Sequence, residues 1–99
     1  MIVLTNSDRK GKRYMVIVDG KKIHFSSSEH ENYTMHKDNE RKQRYIKRHI
    51  KEKKRWHHLK VNLMHPSYWS RWVSWNRPTI RDSVRDIEKK QKLDIIIDL

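Results

Sequence analysis

The sequence predicts a single α+β domain over residues 1–99: a small antiparallel β-hairpin or meander packed by two or three helices, with a C-terminal segment able to add a strand. Three observations predict it. Arg13-Tyr14-Met15-Val16-Ile17-Val18 and Lys21-Lys22-Ile23-His24-Phe25 are rich in β-branched and aromatic residues, and Asp19-Gly20 between them suits a tight two-residue hairpin turn. Residues 37–56 hold neither Gly nor Pro and abound in Lys, Arg, Glu and Gln, all good helix formers. Three of the four tryptophans fall within Tyr68-Trp69-Ser70-Arg71-Trp72-Val73-Ser74-Trp75-Asn76, and so small a chain needs such rings for its core.

Residues 2–5 supply a preceding strand, turned back through Asn6-Ser7-Asp8 to Gly11. In the next strand Tyr14, Val16 and Val18 share one face, with Met15 and Ile17 on the other. An isolated hairpin is marginal, so a helix must cover it. Ser26-Ser27-Ser28 marks a loop. The long helix has little apolar content, namely Tyr45, Ile46, Ile50 and Trp56; Ile46 and Ile50, with His49 beside them, predict one narrow buried stripe. Asp38 and Glu40 near its start, and Lys53, Lys54 and Arg55 near its end, complement the helix dipole.

Residues 57–65 read as a connector. Pro66 suits the first turn of a short helix on which Trp69, Trp72 and Val73 share a side and Trp75 lies partly off it. Asn76-Arg77-Pro78 ends that helix. Thr79, with Asp82 three residues on, resembles a capping box with Asp in place of Glu. Ile80, Val84 and Ile87 give a third helix one apolar seam, while Asp82, Asp86 and Glu88 interleaved with Arg81, Arg85 and Lys89 read as ion pairing along its face. Three successive isoleucines within Leu93–Leu99 favour a strand that can join the hairpin's edge.

The net charge is +12, and residues 35–60 hold eleven Lys/Arg against three Asp/Glu. Charge concentrated on about a quarter of the chain is the pattern of a binding face, and it calls for an acidic partner: DNA, RNA, an anionic membrane face or an acidic protein. The candidate contacts are Arg41, Lys42, Arg44, Lys47, Arg48, Lys51, Lys54 and Arg55. They point to many sides of one helix, so phosphate backbone contact with little sequence preference is expected; packing against an acidic neighbour protein is the alternative. Tyr45, Trp69, Trp72 and Trp75 are the expected aromatic core or anchor. Stacking of the tryptophans on single-stranded bases is the other reading, with Trp75 and Trp56 the more open cases. Arg71 and Arg77 flank the rings and suit cation–π packing.

The chain has no cysteine, which removes disulfides, thiolate nucleophiles and Cys-type zinc sites and fits a reducing compartment. Its seven histidines show no zinc-type spacing. No metal, cofactor, catalytic residue or small-molecule substrate is expected, and a nuclease would need carboxylates gathered about a metal. Met1–Thr5 is a short apolar run with no basic region ahead of it, unlike a signal peptide, and no apolar run is long enough to span a bilayer.

Several stretches resemble a known family. They are His24-Phe25-Ser26-Ser27, Tyr33-Thr34-Met35-His36-Lys37-Asp38, Glu40-Arg41-Lys42, Arg44-Tyr45-Ile46-Lys47-Arg48-His49, Tyr68 through Thr79, and Ser83-Val84-Arg85-Asp86-Ile87. The chain is similar here to small basic uncharacterised proteins of nucleocytoplasmic large DNA viruses. That family usually has glycine after the His-Phe pair, where this chain has Ser26, and a shorter, more acidic passage before the aromatic block. The resemblance implies a viral setting in or near the virion and brings no activity with it. With the charge pattern, it leads to the expectation of a non-catalytic structural protein, a minor capsid or virion component that bridges acidic capsid proteins or packaged DNA. Before assembly it would reside in the host cytoplasm, viral factory or nucleus. The alternative is a sequence-nonspecific nucleic-acid-binding protein acting in the infected cell. Contact with anionic lipid under the capsid is weaker, because the basic helix lacks a broad apolar face.

Overall fold

The fold comes from a computed structural model that describes residues 1–53 and 63–99. The three N-terminal strands, β1 (Ile2–Asn6), β2 (Lys12–Val18) and β3 (Lys21–Ser27), form the expected antiparallel meander. The β2–β3 turn has positive φ at both central residues, 49° at Asp19 and 86° at Gly20, the requirement that makes Asp-Gly favourable there. A fourth strand, β4 (Ile95–Asp98), extends the sheet to the order β3-β2-β1-β4. It joins the free edge of β1 and runs parallel to it, Ile2 opposite Ile95 and Thr5 opposite Asp98, so the sheet is mixed. A parallel neighbour needs a long crossover, and the helices between β3 and β4 supply it.

Among the described residues four helical elements follow the meander: α1 (Tyr33–His36), α2 (Asn39–Lys53), α3 (Pro66–Trp69) running into a π-helical turn over Ser70–Ser74, and α4 (Ile80–Gln91). Alternation along the strands sends Ile2, Leu4, Val16, Val18, Ile23, Phe25 and Ile95 into one core, where Tyr68, Trp69, Val73, Val84 and Ile87 meet them. On the opposite face the β1–β2 loop folds onto His24: Ser7 Oγ lies 2.7 Å from its Nδ1, and Asp8 bonds Lys22 at 2.6 Å.

The aromatic block splits its duties. Trp69 is 0% exposed and donates its indole N–H to the Leu63 carbonyl at 2.7 Å. The π-helical turn, closed by the Trp75 amide donating to the Ser70 carbonyl at 3.1 Å, inserts extra backbone between the rings. Val73 therefore follows Trp69 into the core, Trp72 packs at its rim, and Trp75 turns toward α2. Ser74 is buried and shares a hydrogen bond with Ser26. Ser26 has φ of 63°, the left-handed region where glycine is freest.

The long helix expected over about 37–56 is α2, described from Asn39 to Lys53: Lys37 adopts φ of 55° and ends the separate α1, and Asp38 Oδ1 then accepts the amides of Glu40 and Arg41 to start α2. Its expected seat needs correction. Ile46 and Ile50 do not form the seat of α2, and Ile50 is 47% exposed. Ion pairing along α4 joins Asp86 to Lys90 four residues on, a partner the sequence pattern did not name; Asp86 also reaches off the helix to Arg77, and Glu88 accepts the Ile95 amide at 3.0 Å, tying α4 to β4. The apolar seam of α4 holds, and Thr79 Oγ1 accepts the Asp82 amide at 3.1 Å as the cap. Lys54, Arg55, Trp56 and most of the 57–65 connector lie outside the described residues.

Candidate anion-binding site on helix α2

Helix α2 sits on the body through a polar and aromatic stripe. Lys42, Tyr45 and His49 recur at i, i+3 and i+7, one side of a helix. The Tyr45 ring stacks on Trp75 with centroids 4.4 Å apart and planes 3° from parallel, and its hydroxyl lies 3.0 Å from Ser70 Oγ. His49 Nε2 donates to the Ser67 carbonyl at 3.2 Å. Lys42 Nζ lies 4.8 Å over the Tyr33 ring. Burial, and after it the nearby charges of Arg71 and Arg77, hold the Lys42 ammonium below its usual pKa.

That seat decides where each predicted cation goes. Lys42 is drawn inward. Arg41 turns toward the loop after β3, its guanidinium 3.8 Å from Glu31. Arg44, Lys47, Arg48 and Lys51 fall at i, i+3, i+4 and i+7 and are all exposed. Among the described residues none of these four has a carboxylate within 4.0 Å. The structure thus gathers four of the eight predicted contacts into one outward strip, sets Arg41 and Lys42 to its flank and underside, and leaves Lys54 and Arg55 undescribed.

Beside the strip, α2 overhangs a groove. Clefts of about 260, 470 and 250 Å³ open along it, and Tyr45 and Arg48 line all of them. The far wall is the loop after β3, which the sequence reading recorded only as a break. Arg13 on β2 donates to the carbonyls of Ser28 and His30, both at 3.2 Å, and the Ser28 amide donates to the Gly11 carbonyl at 3.0 Å. Asn32 caps α1 through Oδ1, which accepts from the Thr34 amide at 3.0 Å. An Asn directly ahead of Tyr33-Thr34 was the available signal for this cap.

A second cationic patch lies on the other side of the aromatic block. Arg71 sits 4.4 Å and Lys90 5.3 Å over the Trp72 ring. Arg77 turns away from the rings to Asp86, which also accepts from Asn76 at 2.8 Å and pairs with Lys90 at 3.2 Å. Burial opposes the charged form of Asp86, but hydrogen bonds from Asn76, Lys90 and Arg77 outweigh it and hold the carboxyl below its ordinary pKa. Of the tryptophans named as stacking candidates, Trp69 is buried, Trp75 stacks on Tyr45 and Trp72 carries two cations, while Trp56 lies outside the described residues.

Residues 2–49 match a model for a family of unknown function, DUF5754, so the chain is similar to that family over the meander, α1 and most of α2. No curated protein and no solved structure matches the chain. Among the described residues no helix is long and apolar enough to cross a membrane.

Proposed function

We propose that this chain is a non-catalytic basic binding protein that holds the phosphate backbone of DNA on the outer strip of α2, as a minor structural component of a large DNA virus particle. One observation carries the reading: Arg44, Lys47, Arg48 and Lys51 share one exposed face and have no carboxylate partner among the described residues. Seven residues of helix rise about 10 Å, enough for the strip to lie along two or three phosphates of one strand. Long side chains fanned from a single exposed face contact backbone and carry little sequence information. The viral setting rests on the sequence resemblance.

A second reading keeps the same strip and replaces DNA with an acidic face of a neighbouring capsid protein. The exposed Ile50 beside the strip favours it, since an apolar contact suits a protein surface better than a phosphate backbone. The test is a variant with Arg44→Glu, Lys47→Glu, Arg48→Glu and Lys51→Glu. Loss of duplex DNA binding with an unchanged circular dichroism spectrum is the expected result. Undiminished binding by the folded variant would remove the strip from the account. Absence of DNA binding by the unaltered chain would leave the acidic-protein reading in its place.

A further inference from the structure

The groove under α2 has a character the outer strip lacks. It is concave, and the 470 Å³ cleft is lined by Arg41 together with Arg44 and Arg48, the two arginines of the strip that also border the groove, from three successive turns of α2. Glu31 stands on the opposite wall as the one carboxylate among the described residues lining that cleft. Three guanidinium groups against one carboxylate leave a surplus of two positive charges. A phosphate monoester above its second pKa, about 6, carries the matching two negative charges, whereas a backbone diester carries one.

The wall is set in advance. Arg13 fixes the loop through two carbonyls, and Asn32 is 3% exposed at the neighbouring cleft. With its Oδ1 committed to the α1 cap, the Asn32 Nδ2 has no acceptor among the described residues, a buried donor at the edge of an anion-sized space. Arg41 and Glu31 meet at a loose 3.8 Å with both side chains partly in water, so the pair exchanges readily for a stronger anion. Tyr45 and Trp75 stack on each other, and His49 and His36 crowd them in turn, so recognition falls on the phosphate and leaves the base unread.

We propose that this groove takes a terminal phosphate monoester on Arg41, Arg44 and Arg48, with Glu31 as the carboxylate it displaces. This rests on the reading of α2 as a phosphate-binding helix and adds the end group it prefers. The monoester has two plausible sources: the 5′ end of a nucleic-acid strand, or a free phosphate compound.

The test compares two oligonucleotides of one sequence, one ending in a 5′-phosphate and one in a 5′-hydroxyl, bound to the full chain near 0.15 M salt. Pyrophosphate serves as competitor. The expected preference for the phosphorylated end is about tenfold, the worth of one added charge-assisted hydrogen bond. Glu31→Gln should enlarge that ratio, and Arg41→Gln should bring it toward one. Pyrophosphate should abolish the preference; pyrophosphate binding as tight as the strand end identifies free phosphates as the source, and weaker binding identifies strand ends. Equal binding of the two oligonucleotides overturns the groove proposal and leaves the strip intact. Failure of both to bind removes the groove proposal and the DNA reading of the strip together. The ratio is internal to each folded variant, so a general loss of affinity does not imitate the result.

Discussion

The Tyr45 ring of α2 lies flat on the Trp75 ring, 4.4 Å between centroids and 3° from parallel. The contact joins a helix that is almost wholly polar to the end of the aromatic block. It fixes which side of α2 faces the body, and so which cations remain outside. A helix with so little apolar surface relies on such specific contacts more than on a buried seam.

Pairing of these two rings should be measurable as coupling. In a double-mutant cycle of Tyr45→Ala and Trp75→Ala, urea unfolding should give an interaction energy of about 0.5–1.5 kcal/mol. Strict additivity would mean that the rings merely lie near each other.

The tryptophans should differ sharply in their contribution to stability. Trp69→Ala should cost about 3–5 kcal/mol, as expected for a fully buried aromatic side chain. Trp72→Ala should cost no more than about 2 kcal/mol, because that ring packs at the rim with Arg71 and Lys90 over it. Thermal unfolding of the two variants decides the order, and a larger loss for Trp72 would contradict the described packing.

Tyr68 is buried, and its hydroxyl has no hydrogen-bond partner among the described residues. Burial pushes its pKa up to about 12. Tyr68→Phe deletes an unpaired polar atom and little else, so it should stabilise the fold by about 1 kcal/mol. A clear loss of stability in urea titration would reveal a partner for that oxygen.

His36 links stability to pH. Its Nδ1 accepts the Asp38 amide at 2.9 Å, which leaves the proton of the neutral ring on Nε2, buried and without an acceptor among the described residues. Burial first, and the charge of Arg41 second, lower its pKa from the ordinary value of 6.5. On acidification the unfolded chain therefore takes this proton before the folded one does. The contribution of His36 is complete above about pH 6.5 and declines as the pH drops below it. Urea midpoints between pH 7.5 and pH 5 should show that decline. His36→Asn, which can keep an acceptor near the Asp38 amide, should flatten it; an equal slope in the variant would place the effect elsewhere.

The parts of the fold most legible in the sequence were those governed by local chemistry. Asp19-Gly20 announced its turn because few other dipeptides tolerate positive φ twice, and Val84 with Ile87 announced a core-facing helix by spacing alone. The π-helical turn was not legible, since one inserted backbone step alters no residue type, yet it separates the fates of Trp69 and Trp72. Periodicity also misplaced the seat of α2: it weighted Ile46 and Ile50, while stacking and hydrogen bonds at Tyr45 and His49 prevailed. At the candidate site, the helix and its cations were legible as a charge run. Glu31, Asn32 and the pinning of their loop by Arg13 were not, because those contacts cross between separate segments of the chain.

The most direct measurement is the dependence of duplex DNA affinity on salt. Contact with two or three phosphates should release counterions so that log K falls against log salt with a slope of about −1.8 to −2.7, and the quadruple glutamate variant should lose that dependence along with the binding. A slope near zero, with affinity unaffected by the four substitutions, would contradict the claim that this face of α2 is held open for a polyanion.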